Sequence, residues 1–200
     1  MSVPEKQKLM RAIFLDRDGT MNVDIGYVSD PRELEIYPWV AEAVRLINDA
    51  GFKTIVVTNQ SGVARGLYDE ETLARIHERL IRDLEKEGAR IDALYYCPHH
   101  PRIGSPEYCL NCDCRKPATG MLLKAANQHG IDLAMSFVIG DKASDVRMAQ
   151  DAGARSVLVL TGYGRETLLR PEEWPCKPDF IAKDLLAAVK LVLDSASVRG

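Results

Sequence analysis

No apolar run in this chain approaches the roughly 18 residues that a membrane-spanning helix needs, which excludes a membrane span as an expectation. Met1 to Arg11 is polar and lacks the apolar core of a secretory signal, so the chain is expected to stay in the cytoplasm. A basic excess is missing as well. The formal net charge of −3 offers no footprint for nucleic acid, so any recognition of phosphate must be local. There is no internal repeat, low-complexity segment or long linker, and residues 1–200 read as one domain with flexible ends at about 1–9 and 196–200. Cysteine is scarce outside one loop: of five, Cys97, Cys109, Cys112 and Cys114 fall together and Cys176 stands apart in a Pro-rich stretch. In a reducing compartment such a cluster reads as a metal site rather than a disulfide framework.

What remains is an ordinary globular composition, 46% hydrophobic and 28% charged over 200 residues, enough to bury a substantial core. The run Ala12 to Leu15 is apolar at every position, as a strand covered on both faces must be. It ends in Asp16-Arg17-Asp18-Gly19-Thr20, two acids at i and i+2 before a glycine that permits a sharp turn. Met21 to Pro38 lacks helical periodicity and reads as an irregular flap. Val40, Ala43, Val44 and Ile47 mark a helix stopped at Gly51, and Lys53 to Thr58 a second strand. Asp69 caps a helix with the stripe Leu73, Ile76, Leu80 and Leu84, and Ile91 to Tyr96 is a third strand. Gly120 to Gln128 is helical, Ser136 to Ile139 a strand, Ser144 to Ala152 a helix and Val157 to Leu160 a strand. A short edge strand at Phe180-Ile181 and a helix from Asp184 to Asp194 close the chain. Strands alternating with helices predict an α/β fold, a three-layer α/β/α Rossmann-like architecture on a parallel sheet.

Each strong strand delivers polar residues at its carboxyl end: Asp16 and Asp18, then Thr58 and Asn59, then Asp141. Lys116 arrives from a loop before a helix. In a parallel sheet these ends share one rim, where open α/β sheets bind ligands. Singly, each has a plain reading: Thr58 as a β-branched strand residue, Lys116 as a solvated charge, Gly140-Asp141 as a turn. Together, in this order and spacing, they resemble the four-part signature of the haloacid dehalogenase (HAD) superfamily, over nearly the whole chain. The resemblance implies a phosphatase. Asp16 would be the nucleophile, already ionised at neutral pH. Magnesium would be held by Asp16 and Asp141 side chains and the Asp18 carbonyl. Asp18 would protonate the leaving oxygen and later deprotonate water. Thr58 and Lys116 would hold the phosphoryl oxygens. Lys142 is expected near the same charges, and Asp145 either orients a lysine or caps the next helix.

The loop from about 97 to 114 carries Cys97-x-His99 and Cys112-x-Cys114. Three soft thiolates with an imidazole suit tetrahedral zinc, and a long aperiodic loop needs an internal staple. The alternative is a set of reduced cysteines with exposed histidines. Cys97, His99, Cys112 and Cys114 match the zinc ligands of the bacterial heptose 1,7-bisphosphate 7-phosphatases and the related histidinol-phosphate phosphatases; Cys109 and His100 have no counterpart there. The metal would fix Cys114 and thus Lys116 two residues on.

That closer resemblance extends to the flap, Asn22 to Val28, and to Thr58 through Gly66. It makes Asp24, Ile25, Gly26 and Tyr27, with Thr58, Asn59, Gln60 and Ser61, the expected contacts to a small phosphosugar. Of the two windows in which large HAD caps are inserted, the one after the first strand is short and the one after the third holds only the cysteine loop, so the site is expected to be open. Arg115 can grip a second, non-reacting phosphate, which a heptose bisphosphate has and histidinol phosphate lacks; the plain alternative is a pair with Asp113. A monomer without nucleic-acid or membrane partners is expected. A non-catalytic zinc-stabilised interaction domain is disfavoured, because all four chemical residues are present.

Overall fold

The computed structural model describes residues 9–170 and 177–197. The expected role of Cys176, and most of the expected flexible ends, lie outside them. Six strands form one sheet in the order β3-β2-β1-β4-β5-β6. They are β1 (Ala12–Leu15), β2 (Lys53–Asn59), β3 (Ala93–Cys97), β4 (Phe137–Gly140), β5 (Arg155–Val159) and β6 (Phe180–Ala182). Every adjacent pair is parallel. The chain therefore builds outward from β1 through β2 to β3, then crosses back to β4 and builds outward the other way. The reversal lies between β1 and β4, where strand ends diverge and leave a crevice at the carboxyl rim.

The alternation of side chains along a strand explains why β1 is apolar throughout. Ile13 and Leu15 enter one core, against α1 (Val40–Asp49), α2 (Glu70–Lys86) and α6 (Leu185–Ser197). Ala12 and Phe14 enter the other, against α3 (Gly120–His129) and α4 (Ala143–Asp151). All four are 0% exposed, so the strand that carries the first two acids is fixed from both faces. Asp69 caps α2 by accepting from Thr72 N at 2.8 Å, and the stripe Leu73, Ile76, Leu80 and Leu84 is buried beneath it. Gly130 ends α3 in the left-handed region at φ +62°, which a Cβ would penalise.

Among the described residues no strand or helix covers the rim as a cap. The stretch between β1 and α1 holds one 3-10 turn, Pro31–Glu33, and β3 runs to α3 through the cysteine loop. A five-residue helix, α5 (Gly164–Leu168), follows β5 where only an exit loop was expected. α6 extends through Ser197, into the stretch expected to be flexible. Among the described residues no helix is long and apolar enough to cross a membrane.

Candidate active site

Three acids converge beyond β1 and β4. Asp16, Asp141 and Asp145 each place a carboxylate oxygen within 4.8 Å of the others, and all three side chains are buried. Asp16 is tethered across the strand gap, its N–H donating to the Ile139 carbonyl at 2.9 Å. Asp141 is walled by glycine. A Cβ on Gly19 (φ +87°) or on Gly162 (φ +50°) would come within 2.2 Å of Asp141 Oδ2. That oxygen accepts from Tyr163 N at 2.8 Å, while Oδ1 is buried without a hydrogen-bond partner. Burial, then the charge of Asp16, pushes the Asp141 carboxyl up to about 8. Like charges this close stay ionised together only with a cation among them. An all-oxygen donor set with one orphaned acceptor fits a hard divalent ion.

Lys116 completes the cluster. Its Nζ lies 2.6 Å from Asp16 Oδ1 and 2.6 Å from Asp145 Oδ1, and donates to the Val57 carbonyl at 3.1 Å. Burial works against the ammonium, but the Asp145 and Asp16 charges raise its pKa and keep it charged. Asp145 does both things left open from sequence: it pairs with Lys116, and its Oδ2 accepts from Lys142 N at 3.1 Å at the start of α4. Its membership of the acidic trio is a third role that the spacing did not disclose. Gly140 makes room for it, since a Cβ there would lie 2.4 Å from Asp145 Cγ. Thr58 is 1% exposed, and its Oγ1 accepts from Gln60 Nε2 at 2.8 Å.

Asp18 faces elsewhere. Its carboxylate lies outside the trio and accepts from Arg17 Nη2 at 2.8 Å, from Asn22 Nδ2 at 3.0 Å and from Gln60 Nε2 at 2.7 Å. Burial favours its neutral form, yet the Arg17 charge and these three donors hold it below the usual carboxylate range. Arg17 is 1% exposed and reaches on to His77 Nε2 at 3.1 Å. Neither Arg17 nor His77 was expected at the site. A signal existed for the histidine, which stands four residues after Leu73 and three before Leu80, on the buried face of α2.

The rim opens into a cavity of about 500 Å³. Asp24, Gly26 and Tyr27 of the flap form one wall, Asn59, Gln60 and Ser61 another, with Arg115, Lys116 and Lys142 between them. Ile25 does not line it and is 53% exposed. Tyr68, Ser144 and Tyr163 line it without having been expected. Lys142 Nζ pairs with Asp24 Oδ2 at 3.0 Å, bridging α4 to the flap. Arg115 Nη1 donates to the His99 carbonyl at 3.0 Å, and among the described residues no carboxylate pairs with it, Asp113 included. Four cations against two acids, Asp18 and Asp24, suit an anionic ligand.

In the cysteine loop, Cys97, His99, Cys112 and Cys114 place their donor atoms within 4.8 Å of one another. The sulfur separations are 3.1 Å (Cys97–Cys114), 3.2 Å (Cys112–Cys114) and 3.5 Å (Cys97–Cys112), and none is a disulfide. Tetrahedral zinc with bonds of about 2.3 Å would set sulfurs about 3.8 Å apart, so the donors need open only slightly to hold it. Burial pushes the Cys114 thiol up to about 11, a proton a bound metal would displace. Cys109 stands outside, and His100 instead accepts from Arg102 N at 3.2 Å.

Residues 113–188 match the HAD-hydrolase-like family model. A D-glycero-D-manno-heptose-1,7-bisphosphate 7-phosphatase of Thermosynechococcus vestitus is 42% identical over 188 residues, covering 90% of this chain and 94% of the relative. The D-glycero-beta-D-manno-heptose-1,7-bisphosphate 7-phosphatase of Escherichia coli K12 is 45% identical over 156 residues, 78% of this chain and 82% of its own. Among solved structures, the D,D-heptose 1,7-bisphosphate phosphatase of B. bronchiseptica, complexed with magnesium and phosphate, superimposes with a TM-score of 0.83 at 37% identity, covering 93% of this chain and 99% of that one. With its parallel sheet, its acid–lysine cluster and its uncapped rim, the chain belongs to the heptose-1,7-bisphosphate 7-phosphatase family of HAD-like hydrolases.

Proposed function

We propose that the protein removes the C7 phosphate of D-glycero-D-manno-heptose 1,7-bisphosphate, giving heptose 1-phosphate for nucleotide-heptose and surface-polysaccharide synthesis. The observation that carries this is the buried set Asp16, Lys116, Asp145 and Asp141 opening directly into a cavity with cationic walls. Asp16 attacks phosphorus, and the bond from phosphorus to the C7 oxygen breaks as Asp18 gives that oxygen a proton. Water then attacks the aspartyl-phosphate, Asp18 takes its proton, and the bond to Asp16 breaks to release inorganic phosphate. Lys116, held beside Asp16, and Thr58 steady the phosphoryl oxygens. Asp16 and Asp141 side chains and the Asp18 carbonyl would hold magnesium, whose charge offsets the repulsion between carboxylate and phosphate.

Asp24, Gly26 and Tyr27 with Asn59, Gln60 and Ser61 face the sugar, and Lys142 borders the same space. Arg115, unpaired with any described carboxylate, takes the 1-phosphate. Cys97, His99, Cys112 and Cys114 would hold zinc, and so fix the loop from which Arg115 and Lys116 project. The reading takes the chain as a one-domain monomer in the cytoplasm, where such thiols remain reduced. With magnesium, the protein should release phosphate from the heptose bisphosphate far faster than from histidinol phosphate, and Asp16→Asn should abolish both. A reversed ranking would assign the histidinol-phosphate activity instead, and an unaffected Asp16→Asn protein would remove the nucleophile assignment.

A further inference from the structure

Two buried side chains take no part in the chemistry just described, and they touch each other. Arg17 stands between the two motif acids and is 1% exposed, although a guanidinium is ordinarily a solvated group. Its guanidinium grips Asp18 through Nε at 3.1 Å and Nη2 at 2.8 Å. Its Nη1 meets His77 Nε2 at 3.1 Å. A guanidinium only donates, so His77 Nε2 is the acceptor and its ring proton sits on Nδ1. A cationic imidazole would have no lone pair there and would repel the arginine.

His77 is itself well placed to be an anchor. It is 6% exposed on a helix of 17 residues whose stripe is buried, and its ring packs 5.6 Å from that of Tyr96 on β3. Tyr96 Oη donates to Glu70 Oε2 at 2.5 Å, and Tyr108 Oη of the cysteine loop donates to Glu70 Oε1 at 2.8 Å, pinning the start of the same helix. The chain of contacts therefore runs from packed secondary structure, through a neutral histidine and a planar fork, to the carboxylate of Asp18.

We propose that His77 and Arg17 are a positioning pair for Asp18: the histidine fixes the rotation of the guanidinium, and the guanidinium fixes the direction of the acid–base carboxylate. Arginine suits this task because its donors lie in one rigid plane, so orienting one edge orients the other. Without an acceptor at residue 77, the fork can turn and Asp18 loses its aim while Asp16, Lys116 and the acidic trio stay in place. The inference rests on the phosphatase reading, in that it concerns the proton given to the leaving oxygen.

The test separates aim from scaffold. A sugar phosphate expels an alkoxide that needs a proton, whereas p-nitrophenyl phosphate expels a stable phenolate that does not. His77→Met, which removes the acceptor at similar volume, should lower kcat on the heptose bisphosphate by roughly tenfold or more, a part of the ~100-fold or larger contribution of a general acid. On p-nitrophenyl phosphate the first step, read as the pre-steady-state release of p-nitrophenolate, should fall less than about threefold, because there only the later attack of water calls on Asp18. His77→Gln, whose amide oxygen can accept from Arg17, should recover most of the loss. Arg17→Lys keeps the charge and loses the fork, so it should repeat the His77→Met pattern and serves if that variant does not fold. A first step on p-nitrophenyl phosphate slowed as much as turnover of the heptose bisphosphate, no loss on the heptose bisphosphate, or failure of glutamine to recover activity in a folded protein would overturn the proposal. A wild-type protein that hydrolyses p-nitrophenyl phosphate but no sugar phosphate would instead point at the substrate assignment.

Discussion

Asn59 and Lys116 hold each other by two hydrogen bonds that run in opposite directions. The Asn59 amide donates from Nδ2 to the Lys116 carbonyl at 3.2 Å, and Oδ1 accepts from Lys116 N at 3.1 Å. One carboxamide at the end of β2 thus orients the backbone of a residue 57 positions later, whose Nζ must find Asp16 and Asp145. Asn59→Ala should lower kcat by roughly 10- to 100-fold, the scale of a sub-ångström to 1 Å misplacement in an active site. KM should move less. Asn59→Asp keeps the acceptor and loses the donor, so its rate should fall between; steady-state kinetics on the three proteins checks the order.

Asp145 joins two jobs that substitution can separate. Its Oδ1 meets Lys116 Nζ and its Oδ2 accepts from Lys142 N at the start of α4. Asp145→Asn keeps an acceptor for the helix but removes one of the two anions facing a buried ammonium. We expect at least a tenfold loss in kcat and a clear loss of stability, because a buried cation with one partner removed is costly, about 3–5 kcal/mol in general. Asp145→Ala also gives up the cap and should be less stable than Asp145→Asn by about 1 kcal/mol. Urea unfolding of both variants measures the difference.

The donor set of the cysteine loop makes a prediction about composition. The protein as purified should carry about one equivalent of zinc by elemental analysis, and Cys112→Ser should carry much less, since a hydroxyl is a poor substitute for a soft thiolate. Because Cys114 is two residues from Lys116, kcat should fall with the zinc, and added magnesium should not restore it. A protein with full activity and no thiolate-bound metal would separate the loop from catalysis.

Much of this was legible in the chain, for identifiable reasons. A parallel sheet forces strand ends onto one rim, so Asp16, Thr58 and Asp141 could be grouped from order alone. The apolar stripes of α1 and α2 gave those helices to within a residue or two, since periodicity survives without coordinates. What escaped was decided by direction rather than spacing. Arg17 between two acids looks like a solvated charge until its side chain is seen to turn inward toward His77. Ile25 sits inside the flap segment resembling a binding loop, yet in the turn closed by Gly26 N–H on Asp24 Oδ1 it stays outside the cavity that Asp24, Gly26 and Tyr27 line. α5, with five residues, is too short to show a period at all. Arg115 had a local acid in Asp113 as an alternative partner, and only the fold shows its guanidinium used on the His99 carbonyl instead.

The buried histidine also makes stability depend on pH in one direction. Burial, then the Arg17 charge, lowers the His77 pKa from 6.5 to about 3. The folded protein therefore keeps the ring neutral across a range in which the unfolded chain binds a proton. Above about pH 7 neither state is protonated and His77 contributes no slope. As pH falls below 6.5, the unfolded state gains a proton that the folded state refuses, and stability is lost until about pH 3, where the folded ring protonates too. At 1.36 kcal/mol per unit, the loss between pH 6.5 and pH 5 is at most about 2 kcal/mol from this residue. His77→Gln has no titrating group there, so its stability should decline less steeply from pH 7 to pH 5, by about 1–2 kcal/mol. Urea unfolding of the two proteins at both pH values measures this, and parallel declines would mean that the ring is protonated in the fold, leaving Arg17 without its acceptor.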